Sequence, residues 1–178
     1  MGSIKSGLFI SLDGVTEAPD QWQLGYFDED MGNAVGALMS ANDAILLGRR
    51  TYDEFAGYWP TADPDDPMTK QMNGSRKYVV SSTLSEASWE NTTVVGGDDV
   101  YETLRALKAD QNLGMTGSST LVRALLEHKL LDELHLLVHP IVIGSGQRLF
   151  DGSAKVPLKL VSSATFSTGV LHLVYANE

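Results

Sequence analysis

The sequence predicts an α/β domain of three layers, with a mostly parallel central sheet whose C-terminal strands turn antiparallel. Short continuous apolar runs alternate with segments of helical periodicity, which is the mark of a parallel sheet covered on both faces. Most of these runs end in small or polar residues. Beyond Lys129 the alternation stops, and two long strand-like segments, 133–143 and 169–176, follow with no helix between them.

Residues 8–12 read as the first strand, stopped by Asp13-Gly14, and 15–27 as a long loop carrying Trp22, Tyr26 and Phe27. A helix is expected over 28–42. Met31, Val35, Leu38 and Met39 recur at its spacing, and Asp28, Glu29 and Asp30 suit its first turn. Ala44-Ile45-Leu46-Leu47 suits a strand buried on both faces. Gly48-Arg49-Arg50-Thr51 leads into a helix, with Thr51 and Glu54 spaced as a capping box.

Residues 60–75, with Pro60, Pro64 and Pro67, read as a surface loop. Strands are expected over 77–82, 92–95 and 113–116, with a helix opening at Asp99 and Glu102 and running to about Asp110. Gly117-Ser118-Ser119-Thr120 starts the last helix, whose Leu121, Leu125 and Leu126 face inward. At 178 residues, with neither repeat nor low-complexity tract, the chain is expected to form one domain over 1–178.

Composition excludes several classes of function. There is no Cys, so no disulfide, thiolate-metal or Cys-nucleophile chemistry. The net charge of −10 with only 13 Lys and Arg argues against nucleic acid and anionic membranes. No apolar run approaches the roughly 20 residues of a membrane span, and the start lacks a signal-peptide core, so a cytoplasmic location is expected. His135 and His139, four residues apart on one strand, lie about 13 Å apart and cannot share a metal ion. His128 and His172 read as isolated, and no metal site is expected.

The chemistry is therefore expected at the C-terminal strand ends, where an open α/β sheet binds its ligands. Four such ends carry suitable residues: Asp13-Gly14, Gly48-Arg49-Arg50-Thr51, Ser81-Ser82-Thr83 and Gly117-Ser118-Ser119-Thr120. Two of them run into helix N-termini, where free N–H groups and the dipole favour phosphate. Arg49-Arg50 adds positive charge in an acidic chain. Together they point to a phosphate-bearing ligand lying across several strand ends, although each segment alone is also what an ordinary cap or turn uses. Neither a P-loop nor a complete Gly-x-Gly-x-x-Gly fingerprint is present. For acid chemistry the candidates are Asp13 and the 28–30 run.

In these segments the sequence resembles the dihydrofolate reductase-like family. It is most similar to stand-alone relatives of the C-terminal reductase domain of the bifunctional riboflavin-biosynthesis deaminase-reductase. The resemblance rests on Ser11-Leu12-Asp13-Gly14, on 44–52, on 76–84, on Gly117-Ser118-Ser119-Thr120-Leu121, and on 131–134 with 140–146. It implies a dihydrofolate reductase-like fold and an NADPH-dependent reductase acting on a pterin-like or ribosylaminopyrimidine-like ring. Gly48, Arg49, Arg50, Thr51 and Gly117 to Leu121 would lie along the pyrophosphate. Arg50, Ser81, Ser82 and Thr83 would lie towards the adenosine end and its 2′-phosphate, and Asp13 and Asp30 would be the catalytic candidates.

The resemblance further implies a homodimer through the C-terminal strands. The 15–27 loop departs from both patterns: the riboflavin reductases usually follow Asp-Gly with basic residues, and here stands Val15-Thr16-Glu17. Three alternatives stand beside the reductase: a true dihydrofolate reductase, a dinucleotide-binding protein without turnover, and an interaction protein retaining the strand-end motifs.

Overall fold

The computed structural model describes residues 2–178 and contains one eight-stranded sheet in the order β4-β3-β2-β5-β1-β6-β8-β7. The strands are β1 (Ile4–Ser11), β2 (Ala44–Gly48), β3 (Lys77–Val80), β4 (Thr92–Val95), β5 (Leu113–Thr116), β6 (Glu133–His139), β7 (Leu158–Thr165) and β8 (Leu171–Asn177). From β4 to β6 every neighbour pair is parallel, whereas β6–β8 and β8–β7 are antiparallel. The helices are α1 (Glu29–Ser40), α2 (Arg49–Tyr58), α3 (Pro67–Gly74), α4 (Val100–Asp110) and α5 (Ser119–Glu127). None of the described helices is long and apolar enough to cross a membrane.

Two apolar interfaces make the three layers. On one face Ile4, Leu8, Ile10, Leu46 and Leu113 pack against Leu104 of α4 and Leu121, Val122 and Leu125 of α5. On the other, Leu47 and Val79 meet Tyr52 of α2 and Met72 of α3, while Phe9 and Leu137 meet Met31 and Val35 of α1. The inward-facing residues expected of α1 and α5 are therefore those that pack. Leu121, Leu125 and Leu126 are at most 8% exposed.

Four local expectations are corrected. Residues 67–74 form α3 rather than loop: Asp66 accepts the Met68 and Thr69 N–H groups as N-cap, and Pro67 occupies the first helical position, where its missing N–H costs nothing. The C-terminal region holds three strands. β7 pairs with β8 around the turn at 166–170; a bulge between Leu160 and Ser162 breaks its alternation, and as the outermost strand of the sheet it is mostly exposed. β6 stops at His139, before Pro140, instead of continuing to Ile143. Finally, α2 begins at Arg49, so Thr51 is inside the helix and no capping box forms.

Candidate functional site

β2 and β5 are neighbours, yet the helices that follow them leave to opposite faces, α2 with α1 and α3, and α5 with α4. This is a switch point, and it opens a crevice beyond the strand ends. Gly48 and Gly117 meet there. The Gly48 N–H donates to Ser118 Oγ at 2.9 Å, and the Ser118 N–H donates to Thr51 Oγ1 at 2.9 Å. Gly117 has φ of +62° and Ser118 +58°. These left-handed conformations turn the chain sharply enough to aim α5 at the same crevice as α2.

The exchange of bonds has a consequence for both helices. A Ser at the N-cap ordinarily accepts an N–H of its own helix. Ser118 Oγ is committed to Gly48 instead, and α5 has no side-chain cap. The N-cap of α2 is Gly48, which has no side chain to offer, and that helix is uncapped as well. Two helices of nine and ten residues thus present uncapped first-turn N–H groups at adjacent strand ends. Such groups, together with the helix dipoles, bind anions.

Other expected residues gather around this pair. Ser81 is buried at the end of β3 and its Oγ accepts the Thr83 and Leu84 N–H groups, while Ser82 and Thr83 are exposed. Arg49 donates to Asp53 and reaches Thr83 Oγ1 at 3.3 Å. Arg50 turns the other way, to Glu17 Oε1 at 3.1 Å, Glu54 Oε1 at 3.2 Å and Gln147 Oε1 at 3.3 Å. The expected grouping of Arg50 with Ser81 and Ser82 is thus not what the side-chain contacts form. Consecutive residues on a helix point about 100° apart, so the two arginines serve different sides of the crevice.

Glu17 is a participant that the sequence reading left out. Its carboxylate takes both the Arg50 guanidinium and the Gln147 N–H, at 2.7 Å, and both hold it below the usual carboxylate range. Thr16 Oγ1 lies 2.8 Å from Ser119 Oγ, so the start of the 12–28 connection rests on the α5 N-terminus. Thr120 is exposed there, whereas Leu121 is buried in the core and lies under Gly48.

Asp13 closes the crevice on the β1 side. It accepts from Ser11 Oγ at 2.7 Å and from the Ile143 and Gly144 N–H groups at 3.0 and 2.9 Å, with Arg148 at 3.6 Å. The Ser11 hydroxyl first, then the two N–H groups, hold its carboxyl far below the ordinary range. At neutral pH it is an anion that ties β1 to the 141–144 segment. Asp30 is exposed in the first turn of α1, and no hydrogen bond or ion pair joins it to Asp13 or the crevice among the described residues.

A depressed carboxyl stabilises the fold above its unfolded value near 3.8, and that contribution fades as pH falls towards the folded value. Asp13→Asn is therefore expected to unfold at lower urea than wild type at pH 7, with the gap narrowing below pH 4. Urea midpoints measured from pH 2.5 to 7 check this; a gap independent of pH would remove the carboxylate from the account.

A cavity of about 140 Å³ lies between α1, α3 and the sheet. Phe9, Val35, Leu38, Met39, Met72 and Leu137 give it apolar walls, and Thr116 lies where it approaches the crevice. Asn42 adds a carboxamide whose Oδ1 is buried without a donor. The histidines are not all solitary: His172 Nε2 lies 3.0 Å from His135 Nδ1, whose Nε2 lies 2.9 Å from Glu133, and burial first, then His135, lowers the pKa of His172. His128 stacks on Tyr101.

This mostly parallel sheet, with antiparallel C-terminal strands and helices on both faces, has the dihydrofolate reductase-like fold. The chain belongs to the RibD C-terminal domain family, whose model matches residues 3–172. Uncharacterized protein YyaP of Bacillus subtilis is 32% identical over 177 residues, covering 94% of this chain and 91% of that one. Among solved structures, a candidate riboflavin biosynthesis protein from Shewanella sp. PV-4 superposes with TM-score 0.79 at 20% identity, covering 100% of this chain and 99% of the other. Dihydrofolate reductase of Enterococcus faecalis, solved with NADP(H), gives 0.65 at 15% identity, covering 99% and 97%.

Proposed function

We propose that this protein is an NADPH-dependent reductase of a small heteroaromatic molecule of the pterin or ribosylaminopyrimidine kind. The observation that carries the reading is the pair of uncapped helix N-termini cross-linked by the Gly48–Ser118 and Ser118–Thr51 bonds. That cradle fits a pyrophosphate, and family membership makes a nicotinamide dinucleotide the natural ligand. The acidic chain makes a local cationic site necessary, and Arg49 and Arg50 form it.

In this reading Gly48, Thr51 and Gly117 to Thr120 hold the pyrophosphate, and Arg50 exchanges Glu17 for a phosphate oxygen. Arg49, beside Ser81, Ser82 and Thr83, faces the adenosine end and its 2′-phosphate. When bound, the nicotinamide supplies a hydride; the chain's part is to orient both rings and exclude water. The apolar cavity accepts the substrate ring. Asp13 sets the position of the 141–144 segment rather than donating a proton, and Asp30, exposed on α1 with no contact to the crevice among the described residues, has no part in it. A homodimer through β7 and β8 and a cytoplasmic location accompany this reading.

Thermal unfolding with NADPH and NADH tests it. At a hundred times Kd the cofactor adds about 2.7 kcal/mol, or roughly 5–10 °C for a domain of this size. Arg50→Ala is expected to reduce the shift with both cofactors, and Arg49→Ala to reduce it with NADPH alone. No shift at millimolar concentrations of either would leave the fold without the reductase. Cofactor binding without oxidation over a panel of pterins and aminopyrimidines would favour a binding protein.

A further inference from the structure

His139 ends β6 and is fully buried. Three aromatic rings surround its imidazole edge-to-face: Phe9 at 5.8 Å, Trp22 at 5.2 Å and Tyr26 at 5.5 Å between centroids. Its Nδ1 lies 2.8 Å from the Leu137 carbonyl, which can only accept, so Nδ1 carries the hydrogen. Nε2 is then a bare lone pair in the neutral ring. It is buried and no group bonds to it. Burial holds the pKa of His139 below that of an ordinary histidine, although the Leu137 and Ile10 carbonyls act against this, so the ring is neutral at pH 7.

Leaving an acceptor orphaned in an apolar cage is unfavourable, and packing gives no reason for it. A phenylalanine would fill an aromatic box without that cost. The position of the residue supplies a reason. Phe9 and Leu137 line the apolar cavity, and His139 lies two residues beyond Leu137 on the same face, towards the strand ends where the crevice opens. Its partner in register is Ser11, which bonds to Asp13. The cage is closed from above by Trp22 and Tyr26, both on the connection whose Thr16 and Glu17 rest on the crevice. The Trp22 indole N–H bonds to the Glu17 carbonyl, so the lid over His139 and the contact with Arg50 belong to one segment.

We infer that His139 is a substrate-positioning residue whose Nε2 accepts an N–H of a planar heteroaromatic ring bound between the cavity and the crevice. The inference rests on the reading of that cavity as a substrate site. It narrows the substrate class to rings that present a donor, because a neutral imidazole with Nδ1–H committed can only accept at Nε2. Trp22 and Tyr26 give way to the ring, and an aromatic ligand replaces their edge contacts.

Lumazine and 1,3-dimethyllumazine test this, since the second has the same ring system without its N–H donors. Wild type is expected to bind lumazine at least about tenfold more tightly, as a site built to pair a polar group does. His139→Phe keeps the aromatic box filled and should bring the ratio close to one, while His139→Gln restores an acceptor and part of the preference. The ¹⁵N resonance of His139 Nε2 gives a readout that needs no variant: it should move with lumazine and stay with the dimethyl compound.

Equal or absent binding of both compounds by wild type, a preference that survives in His139→Phe, or an unmoved Nε2 resonance would each overturn the inference. NADPH binding, measured alongside, separates the two ideas. A preference that depends on His139 without NADPH binding removes the reductase and keeps the acceptor, whereas NADPH binding without the preference does the reverse.

Discussion

Gly117→Ala is expected to lower stability by about 2 kcal/mol and to weaken NADPH binding by tenfold or more. The backbone at Gly117 has φ of +62°, a left-handed conformation that costs a residue with a Cβ roughly 1–2 kcal/mol. Space is short as well: a Cβ there would sit 3.2 Å from both Thr51 Cγ2 and Thr51 Oγ1. Thr51 is buried and its Oγ1 receives the Ser118 N–H, so the side chain cannot turn away without breaking that bond.

The displacement would be passed to Ser118, and with it the Ser118–Gly48 bond that sets the two helix N-termini side by side. Gly152→Ala is the control, because Gly152 has φ of +68° but nothing within 4 Å of its Cβ position. It should lose about 1 kcal/mol of stability and bind NADPH as wild type does. Calorimetric Tm values and NADPH titrations on the two variants decide the matter. If Gly117→Ala binds NADPH unchanged, the β2–β5 crevice does not hold the pyrophosphate.

This crevice shows what a sequence reveals and what it conceals. Gly48-Arg49-Arg50-Thr51 and Gly117-Ser118-Ser119-Thr120 are visible as strand-to-helix turns because their residue types punctuate two strong hydrophobic patterns. That β2 and β5 are neighbours follows from the parallel alternation only after the strand order is known. The exchange of Ser118 Oγ from its own helix to Gly48 spans 70 residues and has no local signal. The same holds for His172, whose nearness to His135 depends on the β6–β8 register.

Two other features do have local signals in the sequence. Asp66-Pro67 is an N-cap followed by a first-turn proline, a helix start hidden by the other prolines of that region. The opposite directions of Arg49 and Arg50 follow from helical phase alone once α2 is taken to begin at Arg49. Strand β7 is the harder case. Its bulge shifts the alternation by one residue midway, and its exposed edge supplies no hydrophobic pattern to restore it.

Replacing Lys77 with Met is expected to cost about 2–4 kcal/mol of stability, more than any surface substitution in this chain. Lys77 opens β3 and is fully buried, and its Nζ donates to the Met72, Asn73 and Ser75 carbonyls at 2.9, 3.1 and 2.7 Å. Two of these are carbonyls from the last turn of α3, which lack partners within their own helix. Its ammonium also lies 4.2 Å over the Trp89 ring. Met conserves most of the volume, so the loss would be that of the donors rather than of packing.

Burial pushes the Lys77 pKa down to about 8, with the Glu90 carboxylate acting in the other direction. Because the unfolded chain titrates near 10.5, it binds more protons than the folded one between about pH 8 and 10.5. Wild-type stability should therefore gain over that interval as the cost of burying a charge disappears, and the neutral amine still has two hydrogens to donate. Lys77→Met lacks this gain, so the difference between the two proteins should widen from pH 8 to 10. Urea midpoints at pH 7, 8, 9 and 10 test the sign. A difference that shrinks with pH would mean that the three carbonyls hold the amine charged more strongly than burial opposes it.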